Sequence, residues 1–251
     1  MTAVRLRPAQ GQGVRIAGQS TGGDDVPLYV TRAGVNAEIS VSEAIALQRQ
    51  VAGAVERSDR FGPLRTIAGV DVAYSRRGRQ ARARASAVLL DAASLAVLDQ
   101  AAVEREVEFP YVPGLLSFRE APAAIAALDA LRYRPDVLMC DGQGIAHPRR
   151  CGIASHLGVV LDLPTIGVAK SRLIGSADEP SATRGAVTSL RDGDEEIGLC
   201  LRTRSGVRPV FVSTGHRVSL ESALRIVLQC STKWRLPEPT RLADRISKLW
   251  A

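Results

Sequence analysis

The sequence predicts an α/β fold: a mixed sheet, antiparallel at one end and parallel further on, flanked by helices. Two observations predict it. Three β-like runs follow one another through short turns between Thr66 and Val107, and beyond them strand-length apolar runs alternate with helix-length amphipathic stretches.

Taken in order, residues 1–40 are rich in Gly, Thr and Ala without periodicity and read as a loose leader. Ala44, Ile45, Leu47, Val51 and Val55 recur at helical spacing, with Ser40 or Ser42 available as the N-cap. The runs Thr66–Tyr74, Ala83–Leu90 and Leu95–Val107 have strand character. The Arg/Gly-rich segment Ser75–Gln80 separates the first two, and Asp91–Ser94 the second pair. A helix fits Phe118–Leu131, closed by Pro135, and the short run Val137–Met139 is a strand leading into Asp141. Ile153–Leu161 reads as a helix and Thr165–Ala169 as a strand. After a variable stretch come strands at Ile197–Arg204 and Pro209–Ser213, then helices at Leu220–Gln229 and Thr240–Leu249. The order β-β-β-α-β-α-β is the ribonuclease H-like topology, and no Pro/Gly-rich linker divides residues 41–251, which are expected to form a single domain.

The bulk composition bounds the function. With 45% hydrophobic and 24% charged residues the chain can bury a substantial core. No run approaches the roughly 20 apolar residues that cross a bilayer, and the basic first residues lack the apolar segment of a secretory signal. The expectation is a cytoplasmic protein with no membrane partner. Cys140, Cys151, Cys200 and Cys230 form no C-x-x-C pair and read as reduced, buried thiols rather than a zinc cluster. Lys and Arg number 33 against 26 Asp and Glu, a net charge of +7. Arginines crowd positions 76, 77, 79, 82 and 84 and recur at Arg149 and Arg150, whereas acids gather at Asp192, Asp194, Glu195 and Glu196. A basic excess suits phosphate contacts, although many basic surfaces bind nothing in particular.

Two carboxylates stand out. Asp71 interrupts the apolar run Ile67–Tyr74, and Asp141 directly follows Val137–Cys140 and opens Asp141-Gly142-Gln143-Gly144. A charge in a core strand needs a cation or strong hydrogen bonds. An arginine partner would answer for Asp71, and an ordinary strand-end turn for Asp141. Two acids on neighbouring strands repel unless something positive lies between them, and an all-oxygen set favours Mg²⁺. Glu120 falls in the first turn of a predicted helix, where the dipole favours it or from where it could reach the sheet's carboxylates.

The stretches Phe109–Glu120, Asp141–Arg149, Gly152–His156, Pro164–Ser171 and Leu236–Arg241 resemble, in order, the signature blocks of endonuclease V, and the similarity runs from about Ser42 to the C-terminus. The resemblance implies a ribonuclease H-like, Mg²⁺-dependent nuclease, with Mn²⁺ able to substitute. It places Asp71, Glu120 and Asp141 on the family's catalytic and metal-holding carboxylates, and Lys170 on its active-site lysine. Asp244 falls where members carry an Asp or His near the metal; a solvent-facing Asp on a surface helix is the alternative. The implied substrate is inosine in DNA, with inosine-containing RNA as a second one, cut at the second phosphodiester bond 3′ to the lesion to leave 3′-hydroxyl and 5′-phosphate ends.

Recognition is also readable. Pro110-Tyr111-Val112-Pro113 is a stiff loop able to present a ring as a wedge into a base stack. Gly114, Gly142 and Gly144 allow backbone groups to approach a flipped base, and donors facing the carbonyl of hypoxanthine would leave adenine unpaired. The resemblance puts Leu116, Ile153 and Leu173 on the base pocket; ordinary core packing is the alternative. Arg119 could anchor a phosphate or form a surface ion pair. His147 could contact phosphate or make a structural bond. His156 and His216 carry no assigned role, and no nucleophile-elbow pattern occurs. Two other readings stay open: a junction resolvase or RNA–DNA hybrid nuclease of the same fold, and a basic binding module whose carboxylates only form salt bridges.

Overall fold

The computed structural model describes residues 30–31, 34–35, 39–77 and 80–248. The leader expected over residues 1–40 therefore lies almost wholly outside the described residues. What is described of it is a two-stranded antiparallel ribbon, β1 (Val30–Thr31) with β2 (Gly34–Val35), followed by Ile39 and Ser40. Helix α1 (Val41–Gly53) opens on a capping box: the Ser40 hydroxyl accepts from the Glu43 amide, and the Glu43 carboxylate accepts from the Ser40 amide at 2.8 Å.

The remaining strands make one eight-stranded sheet. Its members in chain order are β3 (Thr66–Arg77), β4 (Gln80–Asp91), β5 (Val97–Glu106), β6 (Val137–Cys140), β7 (Thr165–Ala169), β8 (Val187–Asp192), β9 (Glu195–Leu201) and β10 (Val210–His216). The spatial order is β5-β4-β3-β6-β7-β10-β9-β8, with β3, β6 and β7 parallel and all other neighbours antiparallel. This is the mixed sheet that the element order predicts. Helices α2 (Leu116–Asp129) and α3 (Ile153–Leu161) lie with α1 over one face, around Ala68, Val70, Leu89, Phe118, Leu138 and Leu157. Helices α4 (Leu220–Cys230) and α5 (Glu238–Lys248) cover the other, around Ile67, Val88, Met139, Ile166, Val212 and Ile226. Alternate residues of β3 and β6 divide between these two cores, which is why the central strands read as unbroken apolar runs.

Several boundaries differ from the sequence pattern for identifiable reasons. The segment Ser75–Gln80, expected as a turn, is largely strand: the β3–β4 ribbon continues through Arg76↔Ala81 and Arg77↔Gln80, leaving only residues 78–79 outside the described residues. The stretch between Ala169 and Ile197 holds an unforeseen strand, β8. It is a sheet edge on which only Leu190 is buried, so its sequence lacks apolar alternation. Leu249, expected to end α5, lies outside the described residues.

Part of the clustered charge is paired among the described residues. Arg82 and Arg84 pair with Glu104 across β4 and β5, and Arg150 bridges Asp192 and Glu195 at 2.8 Å each. All four cysteines are free and buried. Among the described residues no helix is long and apolar enough to cross a membrane.

Helix α5 sits unusually close to β3. A Cβ on Gly69 would lie 2.0 Å from the Pro239 carbonyl oxygen, and on the neighbouring strand the Ser86 hydroxyl donates to the Ala243 carbonyl at 2.6 Å. Both contacts fix the helix that carries Asp244. Gly69→Ala is expected to lose about 3 kcal/mol, at the upper end of overpacking costs, read as a lower Tm by circular dichroism; an unchanged Tm would show that α5 does not need this approach.

Candidate active site

The parallel strands bring the first candidates together. Val70 pairs with Cys140 and Cys140 with Gly167, so Asp71 and Asp141 sit one residue past the β3–β6 pairing, and Lys170 follows the last residue of β7. Ligand-binding groups collect at such strand ends. Period-2 alternation points Asp71 to the same side as Ile67 and Gly69, which is the side α5 covers. From that helix comes Asp244. Asp71, Asp141 and Asp244 each offer a carboxylate oxygen, all within 4.8 Å of one another. The Lys170 ammonium lies among them, 2.5 Å from Asp141 Oδ2 and 2.8 Å from Asp244 Oδ1. Lys248, one turn beyond Asp244, donates to both of its oxygens.

The crowding shows in the acidities. Burial, joined by the charges of Asp141 and Asp244, outweighs the Ser247 hydrogen bond and raises Asp71 to about 6. Glu120 reaches the site from α2 on the opposite face. It stands outside the three-oxygen group and is pushed up to about 8 by burial and by Asp71 and Asp141. Burial alone would raise Asp244 and lower Lys170. Their bonds, to Lys170 and Lys248 in the one case and to Asp141 and Asp244 in the other, reverse both shifts. Three all-oxygen donors this close, balanced at present by ammonium groups, fit a hard divalent cation.

A cavity of about 400 Å³ adjoins the cluster, with Glu120, Asp141 and Lys170 in its wall. Tyr111, Val112, Pro113, Gly114, Leu116, Gly142, His147, Ile153 and Leu173 also line it, among them the three residues, Leu116, Ile153 and Leu173, that the resemblance puts on a base pocket. Tyr111 is 70% exposed, and Leu116 and Leu173 are exposed too, whereas Ile153 is buried. Pro110 stands outside the lining, as do Arg119 and Gly144.

Three residues are engaged in ways that the sequence reading left open or did not foresee. Gly144 is packed, since its Cβ would meet the Thr214 carbonyl at 2.0 Å; it lets β10 approach and does not border the pocket. Arg119 donates to the Phe109 carbonyl at 3.1 Å and lies over the Tyr74 ring, so it braces the loop. His147 is buried and lowered to about 4, chiefly by desolvation and then by Arg149. Its neutral ring accepts from the Arg149 amide and bonds to the Gly114 carbonyl, which is a structural role.

Sequence reasoning missed other contributors. Gln48, on the buried side of α1, donates to the carbonyls of Gly114 at 3.0 Å and Cys151 at 2.8 Å. Arg149 bonds both Gln48 and the Gly114 carbonyl. Gly114 itself adopts φ +80°, a left-handed conformation that favours glycine. Ser247 donates to Asp71 Oδ2 at 2.6 Å, and Tyr74 shares a hydrogen bond with Glu120. A polar Gln48 within the apolar stripe of α1 was the one visible signal; Ser247 had none.

Carboxylates gathered around a lysine beside the parallel strands of a ribonuclease H-like sheet mark a metal-dependent nuclease. The comparison with known proteins is specific. Residues 49–245 match the family model described as Endonuclease V. Similar proteins include endonuclease V of a Roseiflexus strain, 55% identical over 83% of this chain and 92% of that protein, and that of Trichormus variabilis, 48% identical over 83% and 94%. Among solved structures, endonuclease V from Streptomyces avermitilis superposes with a TM-score of 0.81 at 47% identity, covering 88% of this chain and 97% of the other. That of Ciona intestinalis, solved with a DNA containing an inosine followed by a ribo-adenosine, gives 0.71 at 29% identity, covering 84% and 97%. The chain belongs to the endonuclease V family, and it is an endonuclease.

The raised acids couple the site to stability. An acid whose pKa is higher folded than unfolded makes the native state bind more protons, so stability falls as pH rises from the unfolded to the folded value. For Glu120 that window runs from about 4.5 to about 8. The metal-free protein is expected to lose several degrees of Tm between pH 5.5 and 8, with Glu120→Gln flattening the slope and millimolar Mn²⁺ restoring more at pH 8 than at pH 5.5. Equal slopes for both proteins in EDTA would refute the assignment.

Proposed function

We propose that the chain recognises inosine in nucleic acid and hydrolyses the second phosphodiester bond 3′ to it, with Mg²⁺ as cofactor and Mn²⁺ able to substitute, leaving 3′-hydroxyl and 5′-phosphate ends in DNA repair. The observation that carries this reading is a shared wall: Glu120, Asp141 and Lys170 border the same cavity as the Pro-flanked Tyr111 loop and Ile153. A base held there keeps its own strand beside the carboxylates. The Ciona relative bound to inosine-containing DNA supports the lesion, and the ribo-adenosine in that ligand is consistent with RNA as a second substrate.

In this reading Asp71, Asp141 and Asp244 would hold the cation, which when bound would supply charge neutralisation at the scissile phosphate. Ser247 occupies one oxygen of Asp71 and leaves the other free to face the cluster. Glu120 retains its proton near neutrality, so at the edge of the site it can give or take one at working pH. Lys170, which already spans Asp141 and Asp244, aligns the phosphate or the attacking water. Tyr111 fills the gap that the flipped base leaves. Its loop is stiffened by Pro110 and Pro113 and tied down through the Gly114 carbonyl. Gly142 borders the base without a side chain, since a Cβ there would strike Ile153 at 2.6 Å.

The decisive assay incubates the protein and Mg²⁺ with end-labelled duplexes carrying inosine or adenine at one position. Nicking confined to the inosine strand is expected; junction-specific or indiscriminate cutting would favour a related ribonuclease H-like nuclease, and binding alone a non-enzymatic module. Asp141→Asn should abolish nicking while binding stays measurable, and unchanged turnover would remove Asp141 from the chemistry. Tyr111→Ala should impair duplex substrates more than single strands, because only a duplex has a gap to fill; equal losses would count against a wedge.

A further inference from the structure

Trp234 is 46% exposed and belongs to no apolar cluster of the described residues. Lys233 and Arg241 flank it, with Lys233 Nζ 5.7 Å and Arg241 Cζ 5.5 Å from the ring centre. Burying an indole among apolar side chains would have been the ordinary use of this residue. Its surroundings tie it to the active site twice. Next to it, Arg235 donates to the carbonyls of Pro209 and of Lys170, the latter at 2.7 Å, so the segment bearing Trp234 is bound to the backbone of the lysine that sits among the carboxylates. On α5, Arg241 precedes Asp244 by three residues, which places them on one side of the helix about one turn apart. The cavity and Tyr111 border Asp141 and Lys170, whereas the Trp234 segment is fastened to Lys170 through its carbonyl and to the α5 turn preceding Asp244.

We propose that Trp234, with Lys233 beside it, is a stacking platform for a nucleotide on the 3′ side of the cut, an inference that rests on the function proposed above. An exposed ring with a lysine over it has the composition of a single-strand contact: the flexible Lys233 side chain swings from the ring to the adjoining phosphate as a base stacks in its place. Arg241 is committed to Glu238 at 2.6 Å and holds the ring in place, which leaves Lys233 to meet the strand. The strand then runs from the Tyr111 pocket, past the carboxylates, to Trp234. Gripping both sides of the scissile bond restricts the phosphate more than the lesion pocket could by itself.

The test uses the full chain carrying Asp141→Asn, to prevent cutting, and two inosine oligonucleotides. One ends at the proposed cut; the other continues about ten nucleotides further 3′, within the span of such contacts. Trp234→Ala should weaken binding of the longer oligonucleotide by about five- to a hundredfold, the range of one base stack, and leave the shorter unchanged, with Trp234→Phe restoring most of the loss. In a Trp250→Phe background, which leaves Trp234 as the one tryptophan, only the longer oligonucleotide should quench emission. Equal weakening of both lengths, or of neither, overturns the proposal. Loss of inosine preference in the unaltered protein would instead sink the underlying function, and the length dependence would still report on Trp234.

Discussion

Three carboxylate oxygens within 4.8 Å of one another are the constraint around which the rest of this molecule is arranged. Two unit charges about 4 Å apart near a protein surface repel by roughly 4 kcal/mol. Such a group survives only where rigid elements impose it and cations offset it. The rigidity comes from β3 and β6, buried between helices on both faces, and from α5, seated on Gly69 so closely that even a methyl group is excluded. The offset comes from Lys170 and Lys248, whose ammonium groups bond to Asp141 and Asp244. Asp71 and Glu120, which burial affects most and to which neither ammonium bonds, rise toward neutrality instead.

The loop that bears Tyr111 is held on a different plan, by hydrogen bonds to its backbone. Gln48, Arg149 and His147 converge on one atom, the Gly114 carbonyl, and thereby lock the loop that displays Tyr111. Gln48 lies on α1 and Arg149 on the loop that follows Asp141, and the two side chains bond each other, so the loop is held by one linked network that spans both elements. If Tyr111 enters a base stack as proposed, a loop held in this way would lose less backbone entropy on binding than a mobile one.

The sequence made the strands, helices and central acids legible because those features are periodic or anomalous. Asp71 breaks an apolar run, and Asp141 ends one. The edge strand β8 was hidden, since a strand with a single buried residue carries no alternation. Gly144 misled for a related reason: glycine marks close approach without saying what approaches, and here it is the β10 backbone rather than a ligand. The partners of the clustered arginines were not legible either: Arg82, Arg84 and Arg150 are seen to face Glu104, Asp192 and Glu195 only once the strands are paired. Ser247 could not have been found, because a serine on an amphipathic helix becomes significant only once Asp71, distant in sequence, is seen 2.6 Å away.

Attraction for a phosphate at the strand ends depends on the charge found there, and the site's own charge count shows its sign. Around Asp244, three aspartates face two lysines, with Glu120 holding its proton at neutral pH, so the cluster carries one net negative charge. That sign draws in a divalent cation and repels phosphate. Were such a cation held by Asp71, Asp141 and Asp244, the same groups would carry one net positive charge, reversing the sign at the strand ends. On the function proposed above, that reversal would favour cation before phosphate, with Lys170 then able to turn from Asp141 and Asp244 toward the substrate.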